Sequence, residues 1–184
     1  MDWQALQKAC LDCRRCPLGQ TRTNVVFGKG DPRATLLFVG EAPGEAEDLS
    51  GEPFVGRAGQ LLTTLLDEVG IARDTVYIAN ILKCRPPQNR DPQSAEEEAC
   101  RAWLDAQIKL LAPKVIVCLG RIAAARLIKP DLRITKEHGE WFWRDGRLMT
   151  ALYHPAYLLR DPRKRPDFVA DLKRIYDKLQ ELEQ

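Results

Sequence analysis

Four short apolar runs, residues 35–39, 76–80, 115–119 and 148–152, each stop abruptly, and helical patterns fill the intervals between them. Runs this short, bounded by glycine or polar residues, read as buried strands. The interval 59–69 sets Leu61, Leu62, Leu65, Leu66 and Val69 at helical spacing and stops at Gly70, a natural C-cap. Residues 94–111 open with Ser94 and Glu97, which read as a capping box. Residues 121–127 form a shorter helix after Gly120, and the tail from Asp167 places Phe168, Leu172, Ile175, Tyr176 and Leu179 on one face. Strands alternating with helices require right-handed crossovers and a sheet covered on both faces. The expected fold is therefore α/β, a three-layer α/β/α sandwich around a central, mainly parallel four-stranded sheet. At 184 residues and 45% hydrophobic content, with no Gly/Ser linker and no internal repeat, residues 1–184 are expected to form a single domain.

In such sheets ligands bind beyond the carboxyl ends of the strands. The first run leads into Gly40-Glu41-Ala42-Pro43-Gly44, the second ends in Asn80, the third runs into Gly120-Arg121, and the fourth into Tyr153-His154-Pro155. The polar chemistry thus converges on one edge. A primary amide at Asn80 offers a donor and an acceptor side by side, as reading a base edge requires, though it could equally cap the following loop. A histidine before a proline is often a turn residue, but the position of His154 at a strand's carboxyl end beside a basic segment favours function. Gly40 and Gly44 flank a loop whose backbone N–H groups can face a ligand. Phe54, in the glycine- and acid-rich loop 51–56, suits a plug or a stacking platform.

The cysteines form two groups, Cys10-x2-Cys13-x2-Cys16 and Cys84-x15-Cys100, with Cys118 inside an apolar run and most simply core. The N-terminal residues 1–8 lack the apolar stretch of a signal peptide, so disulfides are not the expected use of these thiols. Grouped thiolates select zinc or iron–sulfur clusters, and Pro17 after Cys16 leans toward the latter. No apolar stretch reaches membrane-spanning length, so a cytoplasmic protein without a membrane partner is expected. The net charge of +2 decides nothing about a polyanionic partner, but residues 160–165 carry four cations against one anion. Prolines at 155, 162 and 166 bracket that stretch, which predicts no regular helix there.

Four motifs, residues 40–48, 51–62, 80–92 and 154–160, resemble those of the iron–sulfur uracil-DNA glycosylases known as family 4, and with the cysteines the likeness spans 13–160. It implies an enzyme of base excision repair that flips uracil out of DNA and hydrolyses its N-glycosidic bond. Cys13, Cys16, Cys84 and Cys100 would ligate a [4Fe-4S] cluster, with Cys10 spare. The uracil pocket would comprise the loop of Gly40, Glu41 and Ala42, Phe54 stacking on the base, Asn80 reading its Watson–Crick edge and His154 near O2. Glu47 would fill the space beside C5 and exclude thymine. Cleavage puts negative charge on the departing uracil, which His154 and backbone amides would stabilise, while Glu41 would position water or act through its backbone alone. Leu158 and Leu159 would wedge into the vacated stack, and Arg160, Arg163, Lys164 and Arg165 would hold phosphates, unless the segment is simply a solvated basic loop. The resemblance further implies a prokaryotic monomer acting on uracil-containing DNA at the nucleoid. The competing readings are an iron–sulfur redox protein, disfavoured because no G-x-G-x-x-G follows the first run, and a metal-stapled nucleic-acid-binding module without glycosylase activity.

Overall fold

Each of the four apolar runs forms a strand, and the computed structural model, which describes residues 1–184, arranges them with helices in the order α1 (Trp3–Leu11), α2 (Leu18–Thr21), β1 (Lys29–Gly30), β2 (Leu36–Gly40), α3 (Glu45–Ser50), α4 (Arg57–Glu68), β3 (Tyr77–Asn80), α5 (Ser94–Leu111), β4 (Val115–Leu119), α6 (Arg121–Leu127), α7 (Ile134–Glu137), β5 (Phe142–Arg144), β6 (Arg147–Leu152), α8 (Pro155–Arg160) and α9 (Arg165–Glu183). The sheet order is β1-β3-β2-β4-β6-β5, so the protein is a mixed α/β fold. The inner four strands are mutually parallel, as expected. The sheet has six strands rather than four, because β1 and β5 add antiparallel edges. Neither edge carries an apolar run. β1 is two residues long, and β5 is joined to β6 by Asp145-Gly146, both at positive φ (49° and 75°), a turn that matches strand twist.

Alternation along β2 sends Leu36 and Phe38 to one face and Leu37 and Val39 to the other, all essentially buried. On the first face they meet Leu62, Leu65 and Leu66 of α4 and Phe168, Leu172 and Ile175 of α9. On the second they meet Leu104 and Leu111 of α5 and Ala123 and Ala124 of α6. Burial on both faces is why these strands read as continuous apolar runs. A third apolar cluster joins Leu6, Cys10, Leu18, Leu82, Cys84, Cys100 and Trp103, and so fixes α1 and α2 beside α5.

Two local expectations are corrected. The α5 cap is one residue earlier than Ser94 and Glu97 suggested: the Gln93 N–H donates to Glu96 Oε1 at 2.9 Å, and Arg90 grips the same carboxylate at 2.8 and 2.7 Å. The proline-rich basic segment is helical except at Asp161: α8 ends at Arg160, a 3₁₀ turn covers Pro162–Lys164, and α9 starts at Arg165. Each proline occupies the first turn of its element, where its missing N–H would have had no partner anyway. No helix is long and apolar enough to cross a membrane.

Phe168 is fully buried where α9 meets the sheet. Phe168→Ala is expected to lower unfolding free energy by about 3–5 kcal/mol, read as an earlier urea midpoint with unchanged slope.

Candidate active site

Parallel register sets Gly40 of β2 opposite Asn80 of β3, so the two loops leaving these strands start side by side. They stay together: Ile81 N–H donates to Gly40 O at 2.9 Å and Leu82 N–H to Glu41 O at 3.0 Å. Beyond these strand ends lies a cleft of about 760 Å³. Its lining includes Glu41, Ala42, Glu47, Phe54, Asn80 and His154, so six of the seven residues expected to touch the base share one cavity. Gly40 lies directly behind them. A Cβ there would sit 2.5 Å from Asn80 Oδ1 and 2.6 Å from the Phe54 ring, so only glycine lets both approach.

Asn80 is 2% exposed, and its Oδ1 is buried without a hydrogen-bond partner. An orphaned buried acceptor costs roughly 1–3 kcal/mol, which argues that a ligand donor completes it. Asn80 does not cap its loop through that oxygen. His154 caps α8: the Ala156 N–H donates to His154 Nδ1 at 3.0 Å. An accepting Nδ1 leaves the ring hydrogen on Nε2. Burial, assisted by the Arg160 cation, lowers His154 to about 4, so the imidazole is neutral near pH 7. Its ring stacks against Phe54 with centroids 5.6 Å apart.

Phe54 occupies the left-handed region, φ 51°, which a bulky residue adopts only under constraint. The constraint is Arg73, whose guanidinium donates to Phe54 O and Pro53 O, each at 2.6 Å, and to Thr63 Oγ1 at 2.8 Å. Gly59 completes the fit, since a Cβ there would lie 2.0 Å from the Phe54 carbonyl carbon. Arg73 has no local signature, being one arginine in a short polar turn, and sequence reading passed over it. Glu47 is a second brace. Its carboxylate accepts from Gly44 N–H at 3.1 Å, Gly56 N–H at 2.8 Å and Val55 N–H at 3.3 Å, joining the two loops that carry the glycines. Glu41 stays partly buried, and that burial, reinforced by the Asp91 charge, raises its carboxyl above the ordinary range. Asp91 pairs with Arg121 at 3.4 Å on the rim.

Around α8 the expected contacts divide. Leu158 is 2% exposed and packs in the core, because the helix turns it inward; it cannot wedge into a base stack. Leu159, the next residue, faces out at 39% exposure. Arg160 lines the cleft. Arg163 is held by Asp161 at 2.8 Å, Arg165 pairs with Glu68, and Lys164 makes no ion pair.

Cys13, Cys16, Cys84 and Cys100 line one small void, and Leu82 and Lys83, which share that lining, tie it to Asn80 two residues earlier in the chain. Cys10 is fully buried outside that lining, and burial pushes its thiol up to about 12. Three sulfurs receive N–H donors: Cys13 from Trp103 Nε1 and Cys100 from Lys83 N, both at 3.3 Å, and Cys84 from Arg22 Nη1 at 3.4 Å. The thiols ring a void rather than converge, and no three His, Cys, Asp or Glu side chains gather around a point that one metal ion could fill.

A mixed sheet whose inner parallel strands carry, at their carboxyl ends, an unpartnered amide, a neutral imidazole and a braced aromatic defines an α/β protein with a cleft suited to a planar polar ligand. More narrowly, the chain belongs to the uracil DNA glycosylase superfamily, whose family model matches residues 27–180. It is 46% identical over 173 residues to the type-4 uracil-DNA glycosylase of Archaeoglobus fulgidus, covering 90% of this chain and 87% of that protein. It is 50% identical over 151 residues to the type-4 uracil-DNA glycosylase of Thermotoga maritima, covering 81% and 79%. A type-5 uracil-DNA glycosylase of Thermus thermophilus is 32% identical over 191 residues, covering 84% and 87%.

Removing the Arg73 brace should release the loop before it disturbs the sheet. Arg73→Leu is expected to cost about 2–3 kcal/mol in thermal unfolding, with new proteolytic cleavage confined to 51–56.

Proposed function

We propose that the protein is a uracil-DNA glycosylase, excising uracil from DNA and leaving an abasic site. The observation that carries this reading is that Asn80, whose Oδ1 is buried and unpartnered, lines the cleft together with a neutral His154. Uracil presents an N3–H donor between two carbonyl acceptors, O2 and O4. Asn80 Oδ1 accepts from N3–H while its amide N–H donates to O4; cytosine presents the opposite pattern and leaves both groups unmatched. His154 donates its Nε2 hydrogen to O2, where negative charge grows as the glycosidic bond lengthens, and a neutral donor avoids giving up a proton that the uracil anion does not need. Removing a donor of this kind typically costs about 100- to 1000-fold in rate. Phe54 stacks on the base, and the glycine loop brings the Glu41 and Ala42 backbone close to it. The Glu41 carboxylate favours the developing positive sugar and orients the attacking water. Glu47 blocks the space at C5 while its carboxylate ties the two loops together.

The substrate is uracil-containing DNA, read by one domain spanning residues 1–184 and acting as a monomer in the cytoplasm. The exposed Leu159 takes the wedge role alone, and Arg160 and Lys164 are the cations of α8 and the following turn free to meet phosphates. Four thiols ringing one void fit a [4Fe-4S] cluster, in which each iron takes one thiolate, better than a single zinc, which needs its ligands at one point. Cys13, Cys16, Cys84 and Cys100 would hold it, with N–H donors to three sulfurs easing their negative charge. When bound, the cluster supplies a rigid cross-link between the N-terminal turn, the loop after β3 and α5.

The deciding experiment is excision from matched U:A, U:G, T:G and hypoxanthine duplexes, followed by alkaline cleavage, alongside iron and sulfide analysis. Uracil release from the first two with about four irons per chain is expected; no release, or zinc in place of iron, would overturn the reading. Asn80→Asp should cut uracil excision by about 100-fold or more, since a carboxylate cannot donate to O4. The pH dependence separates the two roles open to Glu41. Its carboxyl is raised, so its charge is lost on acidification before His154 titrates near 4. In the parent protein the acid limb of kcat/KM should therefore lie above pH 4.5, the ordinary glutamate value, and in Glu41→Gln it should fall to about 4. Coincident limbs and matching rates would mean that Glu41 works through its backbone alone.

A further inference from the structure

Lys83 is the one buried cation of the protein, 1% exposed and among its largest fully buried side chains. Burying an ammonium is costly unless a counter-charge and hydrogen bonds compensate it. The buried carboxylates all find donors: Asp48 takes the N–H groups of Thr23 and Asn24, Glu96 takes Arg90, and Asp171 takes His138 and Arg174. Lys83 finds no carboxylate. Its Nζ makes one hydrogen bond, donating to Asn80 O at 3.1 Å. Its own backbone N–H donates to Cys100 Sγ at 3.3 Å, and the residue lines the cysteine-ringed void.

Lys83 therefore touches both sites, its ammonium holding the carbonyl of the residue whose side chain lines the cleft and its backbone N–H holding a sulfur of the cysteine ring. We propose that Lys83 is a positioning residue that couples the two sites: ligated thiolates serve as its counter-charge, and its bond to the Asn80 carbonyl fixes the end of β3 from which the amide reaches uracil. This rests on the uracil-binding role of Asn80 and on thiolate ligation by the ring. It assigns Lys83 no contact with substrate. The geometry explains why a lysine, rather than an apolar residue of similar length, fills a site closed to water. A methionine would pack as well, but would bring no positive charge to the ring and leave the Asn80 carbonyl unheld.

The test compares the parent with Lys83→Met at equal iron content, reading free-uracil binding by NMR titration, binding of a duplex containing a stable abasic analogue, and the rate at which EDTA with ferricyanide bleaches the visible absorption. Uracil binding should weaken by about 10- to 100-fold and bleaching should accelerate, as happens when a group supporting metal ligands is removed. Abasic-duplex binding, which needs the basic segment but not Asn80, should stay at the parent value. Parental uracil affinity in Lys83→Met overturns the proposal, as does equal weakening for uracil and the abasic duplex, which marks a general structural defect. If the variant does not fold, hydrogen exchange on the parent decides. Amides of 80–84 should lose protection when iron is removed while those of β4 keep theirs; unchanged protection at 80–84 overturns the coupling. A parent that neither binds nor excises uracil removes the functional reading itself, whereas a competent parent with an indifferent Lys83→Met removes only this inference.

Discussion

The register between β2 and β3 is the constraint on which the cleft depends. Parallel pairing aligns Gly40 with Asn80 at the carboxyl ends, and a slip by one residue would turn Asn80 to the opposite face. That register is secured by burial on both faces, since Leu36 and Phe38 belong to one apolar cluster and Leu37 and Val39 to another. A slip would exchange the two sets and leave both cores mismatched. The position of one amide is thus fixed by side chains that do not line the cleft.

Around this rigid pair the cleft is assembled from loops that would not hold their shapes alone. Phe54 sits in an unfavourable backbone conformation, and three separate devices keep it there: the carbonyl grip of Arg73, the close approach of Gly59 and the Glu47 carboxylate on the following amides. Each device comes from a different stretch of chain. The arrangement trades loop stability for a fixed aromatic surface, a pattern common where a site must be formed before its ligand arrives.

Much of this was legible beforehand, for identifiable reasons. The inner strands were readable because two-sided burial leaves no polar residue to interrupt them, and α5 and α6 were bounded as expected at 94–111 and 121–127. Asn80, Phe54 and His154 could be picked out because each is an exception to its surroundings: an amide closing an apolar strand, an aromatic in a glycine loop, a histidine after a strand. The edge strands escaped because they are held by neighbours rather than by a pattern of their own. Arg73 escaped because its partners are backbone carbonyls, which leave no trace in composition. The basic segment was misread because proline was taken as a helix breaker, whereas its position within the first turn makes it a helix starter. Leu158 and Leu159 could not be told apart until the helix phase was known, since adjacent residues on a helix point about 100° apart.

His154 joins two functions, of which sequence reading saw only the one at the base. By accepting the Ala156 N–H, its Nδ1 begins the helix that carries Tyr157, Leu159 and Arg160, and the same bond decides which ring nitrogen bears hydrogen. The tautomer and the direction of the helix are therefore one mechanical variable. A displacement of that helix therefore bears on the imidazole itself, so that the outer surface of α8 and the ring lining the cleft move together or not at all.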